Sequence, residues 1–274
     1  MNLQHNGNLS IQSLSKLKSR FSQYVHSFFS SDPIIQQAIE LKENHSLRVC
    51  SEILNIGKKL DLSDNDLRIA EAMALLHDIG RFEQYTRYRT FLDNKSENHG
   101  ELGVNVLRQQ QTLADLDETT RNLILKAVSC HNRFSIPEDE SFACVFFSKL
   151  LRDADKLDIM NLHATYYHVN PAERIAAVEL DLPDINTPEV PEDILDSLQE
   201  GRMVRIQQLK SVNDYKIFQM SLIYDINFQP TFQTILDRNY LKLIRDTMPA
   251  SESIDHVYSL LMSYLKKGSN SNTP

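Results

Sequence analysis

Leu67, Ala70, Met73 and Ala74 recur at three- and four-residue steps, and their stripe runs straight into His77 and its neighbour Asp78. Spacing of that kind turns one helix face towards a core. A core face that ends in two ionisable side chains constrains the chain further. Burying an unpaired imidazole or carboxylate costs on the order of several kcal/mol, so such groups are buried only where something shares their charge.

The pattern repeats along the chain. His45 lies on a face with Ala38, Val49, Ile53, Ile56 and Leu60; His99 goes with Leu102 and Val106; His131 follows Ile124, Ala127 and Val128. Asp155 follows Cys144, Phe147 and Leu151, and Asp158 continues that face. Asp153 also ends an apolar stripe, through Phe146 and Leu150, so periodicity alone leaves Asp153 and Asp155 as alternatives. Five helical segments therefore each bring a metal-competent group to the buried side. Convergence on a pair of divalent cations explains all five together. Mixed imidazole and carboxylate donors suit Mn, Fe, Ni, Co or Zn; Mg is admitted but is served better by an all-oxygen site.

Helix signals elsewhere point to an all-α fold. Leu14, Leu17, Phe21, Val25 and Phe28 mark a helix over residues 10–29, after a start at residues 1–9 that reads as frayed. Asp32-Pro33 opens a second, running to about Leu60, with Asp32 as cap and Pro33 at the first helical position. Ser63 and Asp66 form a capping-box pattern, and Asn98 with Glu101 another. Further helices are expected from Asp117 to His131, from Ser141 through the segment LRDADKLD, and over 203–222, 231–247 and 252–266. Residues 175–200 contain no Lys or Arg but eight acidic residues and three prolines, and read as an acidic linker. The expected organisation is an N-terminal helical extension (1–32), a metal-binding domain (33–170), the linker (171–202), a C-terminal helical segment packed on the core (203–267) and a disordered tail (268–274).

Composition narrows the function classes. A net charge of −8 over 274 residues argues against stable nucleic-acid binding by phosphate neutralisation. The three cysteines, Cys50, Cys130 and Cys144, are odd in number and widely spaced, which points to a reducing interior. No apolar run approaches the roughly 18 residues of a membrane span, and no signal-peptide core is visible, so a soluble, cytoplasmic protein is expected.

The ordered set His45, His77–Asp78, His99, His131 and Asp155, with the flanks HSLRV, LLHDIGR and DADKLD, resembles the HD superfamily of metal-dependent phosphohydrolases. The resemblance spans about residues 40–165 and implies a helical bundle with additional N- and C-terminal helices. It implies His45, His77, Asp78 and Asp155 on a first ion, His99 and His131 on a second, and Asp78 bridging. The flank ADKL is what selects Asp155 over Asp153. Two departures stand out: Arg81 replaces the Lys of many relatives, and the Gly-Tyr-Pro signature of the cyclic di-GMP phosphodiesterase branch is missing, since SCHNRF offers His131 followed by Asn132.

The implied reaction is hydrolysis of a small phosphate ester, a nucleotide foremost, by a water activated between the ions. Asp78 and Arg81 are the candidate catalytic residues, and Arg81, Arg48 and Lys156 the candidate phosphate contacts. The same ligand set serves mixed-valence di-iron oxygenases among the relatives, and a metal-stabilised ligand sensor is the non-enzymatic alternative. His5, His26, His163, His168 and His256 lack matching flanks and read as packing or surface residues. Tyr85, Tyr88 and Phe91 read first as packing residues and second as a pocket cover. The C-terminal stretch YDINFQPTFQ is assigned to the pocket wall or to the face of a homodimer.

Overall fold

The computed structural model describes residues 3–137, 139–169, 182–183 and 188–271, and among these every regular element is helical. The chain divides into two compact units, residues 1–155 and 156–274.

The first unit is built from α1 (Ile11–His26), α2 (Pro33–Lys59), α3 (Asp64–Leu76), α4 (Gly80–Tyr88), α5 (His99–Gln109), α6 (Glu118–Cys130) and the start of α7 (Phe142–Tyr166). Short polar side chains fix the helix starts. Ser10, Asp32, Ser63, Asn98 and Asp117 each accept a hydrogen bond from a main-chain N–H of the first turn they precede. Each such cap contributes about 1 kcal/mol and sets where the ligand-bearing helix begins.

Helix α3 is the hub. Ile69, Ala70, Ala72, Met73, Ala74, Leu75 and Leu76 are all buried, so it is apolar around most of its circumference. Its small alanines let α1, α2 and α6 pack against it, while α4 packs on α5 and α5 on α6. The chain leaves α3 through His77, Asp78 and Ile79, and re-enters a helix at Gly80. Glycine is required there by space. A Cβ on Gly80 would stand 2.5 Å from the His99 carbonyl oxygen and 2.6 Å from the Gly103 nitrogen, both backbone atoms of α5. The α3–α4 junction therefore rests directly on the helix that carries His99.

The structure corrects the reading of the N-terminus. Residues 3–9 have no regular structure, yet Leu3 and Leu9 are buried at 2% and 0% exposure. His5 Nε2 pairs with Asp66 at 2.8 Å, Asn65 donates to the Gly7 carbonyl at 2.9 Å, and Arg68 Nε donates to the Leu9 carbonyl. The Asn8 N–H donates to Asp117 at 3.2 Å. The segment is a strap across the starts of α3 and α6, held by main-chain partners that periodicity does not reveal.

The second unit contains α8 (Glu192–Gln199), α9 (Val212–Ser221), α10 (Gln229–Asp237), α11 (Tyr240–Arg245) and α12 (Glu252–Ser269). Helices α8, α10 and α11 pack on α12, and α9 packs on α11. Helix α8 falls inside the acidic stretch and buries Ile194 and Leu198; residues 175–181 and 184–187 of that stretch lie outside the described residues. Of the helix expected over 203–222, the α-helical part begins only after Ser211, whose hydroxyl caps it by accepting from Asp214 N. Residues 268 and 269, read as tail, complete α12.

Candidate metal centre

Four ring nitrogens and one carboxylate meet where α2, α3, α5 and α6 converge. His45 comes from mid-α2, and His77 and Asp78 from the end of α3. His99 is the first residue of α5, and His131 follows the last residue of α6. All five are buried, at 5% exposure or less.

The two oxygens of Asp78 face different partners. Oδ2 lies 3.5 Å from His45 Nε2 and 3.7 Å from His77 Nε2, and those two nitrogens are 3.2 Å apart. Oδ1 lies 3.5 Å from both His99 Nε2 and His131 Nε2, which are 2.9 Å apart. Two trios, His45–His77–Asp78 and Asp78–His99–His131, thus share one carboxylate. Asp155, from α7, joins the first: its Oδ1 is 3.1 Å from His45 Nε2 and 3.7 Å from His77 Nε2.

For three of the rings the tautomer follows from the far side. His77 Nδ1 donates to the Ala74 carbonyl and His131 Nδ1 to the Val128 carbonyl, both at 2.7 Å. His99 Nδ1 faces Asp93, at 2.8 Å from Oδ1 and 2.7 Å from Oδ2. Carbonyl and carboxylate oxygens only accept, so in the neutral rings the proton sits on Nδ1 and the Nε2 lone pair points into the cluster. His99 and His131 then aim two lone pairs at each other across 2.9 Å, which is repulsive unless a positive centre lies between them.

A divalent ion satisfies that geometry. Two donors bonded to one ion at about 2.0–2.2 Å stand about 2.9–3.6 Å apart at coordination angles near 90–110°. The donor pairs here fall close to that span, and the donor types are those of transition-metal sites. The clustered His and Asp residues suit divalent metal binding.

The electrostatics agree. Burial opposes ionisation of Asp78, but Lys42, His77, Arg81 and His131 outweigh it and hold the carboxyl well below the usual range. Burial likewise opposes ionisation of Asp155, and the neighbouring His45 and His77 rings overcome it and hold the carboxyl well below the usual range. Burial pushes His131 down, and burial with the Arg81 charge brings His99 down to about 3. His99 and His131 are thus neutral imidazoles beside ionised carboxylates, the protonation states of metal ligands.

Residues 43–160 match the family model described as HD domain. Over that stretch the chain is similar to the HD domain. No curated protein and no solved structure matches the chain. The HD domain match covers all the clustered residues, and the superfamily it points to is of the metal-dependent hydrolase type.

Around the HD cluster the other candidates are placed unevenly. Arg81 lies beside it, with Nε 3.5 Å from Asp78 Oδ1, but its Nη1 is engaged by Gln84 Oε1, the Phe91 carbonyl and Asp93. Arg48 lies one turn beyond His45 on α2 and is partly buried. Lys156 is turned to another partner, its ammonium pairing with Asp225 at 2.5 Å. Tyr85 is buried and packs on Phe91, with ring centroids 4.7 Å apart, whereas Tyr88 is exposed.

Two residues at the site escaped the sequence reading. Lys42 Nζ donates to Asp78 Oδ2 at 2.8 Å and stands 5.3 Å from the centre of the Phe91 ring. Its position one turn before His45 on the same helix was the available signal, and a Lys at a half-buried helix position carries no mark of its own. Asp93 lies in a 3-10 turn, Asp93–Lys95, with no periodicity to place it.

Proposed function

We propose that the protein is a metal-dependent phosphohydrolase acting on a phosphate ester of a small molecule, with nucleotides as the favoured class. The observation that carries this reading is the division of Asp78 between two histidine pairs, one on each carboxylate oxygen. Divalent ions held there by His45, His77, Asp78 and Asp155 and by Asp78, His99 and His131 would supply an acidified water and a Lewis-acidic contact for phosphoryl oxygens. The protein's own groups do the rest. Buried, fixed imidazoles keep their lone pairs aimed inward without reorganising during the reaction. Lys42 and Arg81 add two positive charges beside Asp78, where they offset negative charge that grows on a phosphoryl group. Arg48 is the further phosphate contact proposed; Lys156 is the weakest, because it already has an anionic partner.

The test is elemental analysis of the purified protein combined with a screen of nucleotides and generic phosphate esters in Mn, Co, Ni and Mg. The expected outcome is two transition-metal ions per chain and phosphate release that Asp78→Ala abolishes together with the metal. Asp78→Ala protein with full metal and full turnover would end the proposal. Oxygen consumption by iron-loaded protein without phosphate release would replace hydrolysis by oxygenation.

A further inference from the structure

The rings of the cluster are not braced alike. His77 and His131 lean on neutral carbonyls of their own helices, Ala74 and Val128. His99 leans on a carboxylate from outside its helix, that of Asp93, whose two oxygens both lie within 2.8 Å of Nδ1. That carboxylate is itself held in place. Arg81 Nη1 donates to it at 3.2 Å, the fully buried Gln84 Nε2 at 2.9 Å, and Asn132 Nδ2 at 3.1 Å. Three polar side chains thus orient one acceptor: α4 gives Arg81 and Gln84, and the position after His131 gives Asn132.

We propose that Asp93 is a positioning residue that sets the affinity of the ion shared by Asp78, His99 and His131, acting through the His99 ring. The inference rests on the two-ion reading of the cluster. An anionic acceptor on Nδ1 fixes the proton there, locks the ring plane and makes Nε2 a better donor than a carbonyl-braced ring. Asp93 does this from the Nδ1 side and contributes no oxygen to either trio. The His99–His131 site is thus tuned through one ring by a charge that the His77 and His131 rings lack. It also gives Arg81 a second duty. Its guanidinium ties Asp93 to Asp78, joining the brace to the shared carboxylate.

The experiment is a calorimetric titration of Mn into the chelator-stripped, full-length protein, comparing wild type with Asp93→Ala, Asp93→Asn and His99→Ala. Wild type is expected to show two binding steps. In Asp93→Ala one step is unchanged and the other weakens by about 10–100-fold, the range typical of a lost ligand brace. Asp93→Asn keeps an acceptor without its charge and falls between. His99→Ala identifies the step by removing it. Circular dichroism of the metal-free variants checks that each is folded, and Asp93→Asn keeps the test valid if the alanine variant is not. Two unchanged steps in the folded Asp93 variants would overturn the inference and leave the metal centre standing. Equal weakening of both steps would overturn it too, by showing a general structural role. A wild-type protein that takes up fewer than two ions would overturn the two-ion reading along with it.

Discussion

Substituting Gly80 by alanine adds one methyl group at the tightest point of the first unit. The added carbon would sit 2.5 Å from the His99 carbonyl oxygen, 2.6 Å from the Gly103 nitrogen and 3.1 Å from the Gly103 Cα, where ordinary contact begins near 3.4 Å. All three are backbone atoms, so relief requires α4 and α5 to part by most of an ångström. Overpacking of this kind costs about 1–3 kcal/mol, whereas alanine's helix propensity returns at most about 1 kcal/mol. The expected net loss is about 1–2 kcal/mol, a fall in Tm of roughly 2–8 °C for a unit of this size. Gly57→Ala is the matched comparison. Its added methyl meets only the side-chain ends of Leu67 and Leu62, at 2.8 and 3.1 Å, which swing aside at lower cost. Thermal unfolding of both variants in chelator, followed by circular dichroism, gives the comparison. A Gly80→Ala protein that melts at or above wild type, or above Gly57→Ala, would refute the packing argument. Since His99 supplies the clashing oxygen, Gly80→Ala should also weaken metal binding at the site proposed for His99.

Two other perturbations read different parts of the structure. Burial lowers the His163 pKa to about 4, and its Nδ1 accepts from Gln219 Nε2 at 3.0 Å, so the fold requires the neutral ring. Between about pH 6.5 and 4 the unfolded chain binds the proton and the folded one does not. Stability therefore falls as pH falls through that window, by roughly 3 kcal/mol at full effect. Urea titrations at pH 7 and 5 should show a smaller pH dependence in His163→Gln than in wild type, and equal slopes would remove His163 as the cause. Leu9→Ala tests the strap: a side chain at 0% exposure should cost about 2–5 kcal/mol when truncated, and a melting temperature within 1–2 °C of wild type would return residues 3–9 to the status of a loose end.

Much of the fold was legible because its signals are local. Ser10, Asp32, Ser63, Asn98 and Asp117 announce helix starts within three residues of sequence, and each is observed as a cap. The cluster was legible because each histidine ends or lies on an apolar stripe, which says that it points inward without saying what it meets. Where two aspartates satisfied the same rule, periodicity left both open and the ADKL flank pointed to Asp155, which lies 3.1 Å from His45. Helix α4 was missed because the segment GRFEQYTRY buries only Gly80, Phe82, Gln84 and Tyr85 and offers too little apolar repeat. Asp93, Lys42 and the strap share another cause. Their partners lie 6, 36 and roughly 60 residues away, and they are held by polar contacts that leave no period in the sequence.

Because one carboxylate serves both histidine pairs, damage to this centre is not symmetrical. Replacing the His99 and His131 imidazoles still leaves an intact His45–His77–Asp78 set. Replacing the carboxylate at the α3 exit strips a donor from both pairs at once, and of the two only His45–His77 keeps another carboxylate beside it, that of Asp155. Change on the α5 and α6 side thus leaves the other donor set untouched, whereas change at Asp78 reaches both, through a single residue at a helix end.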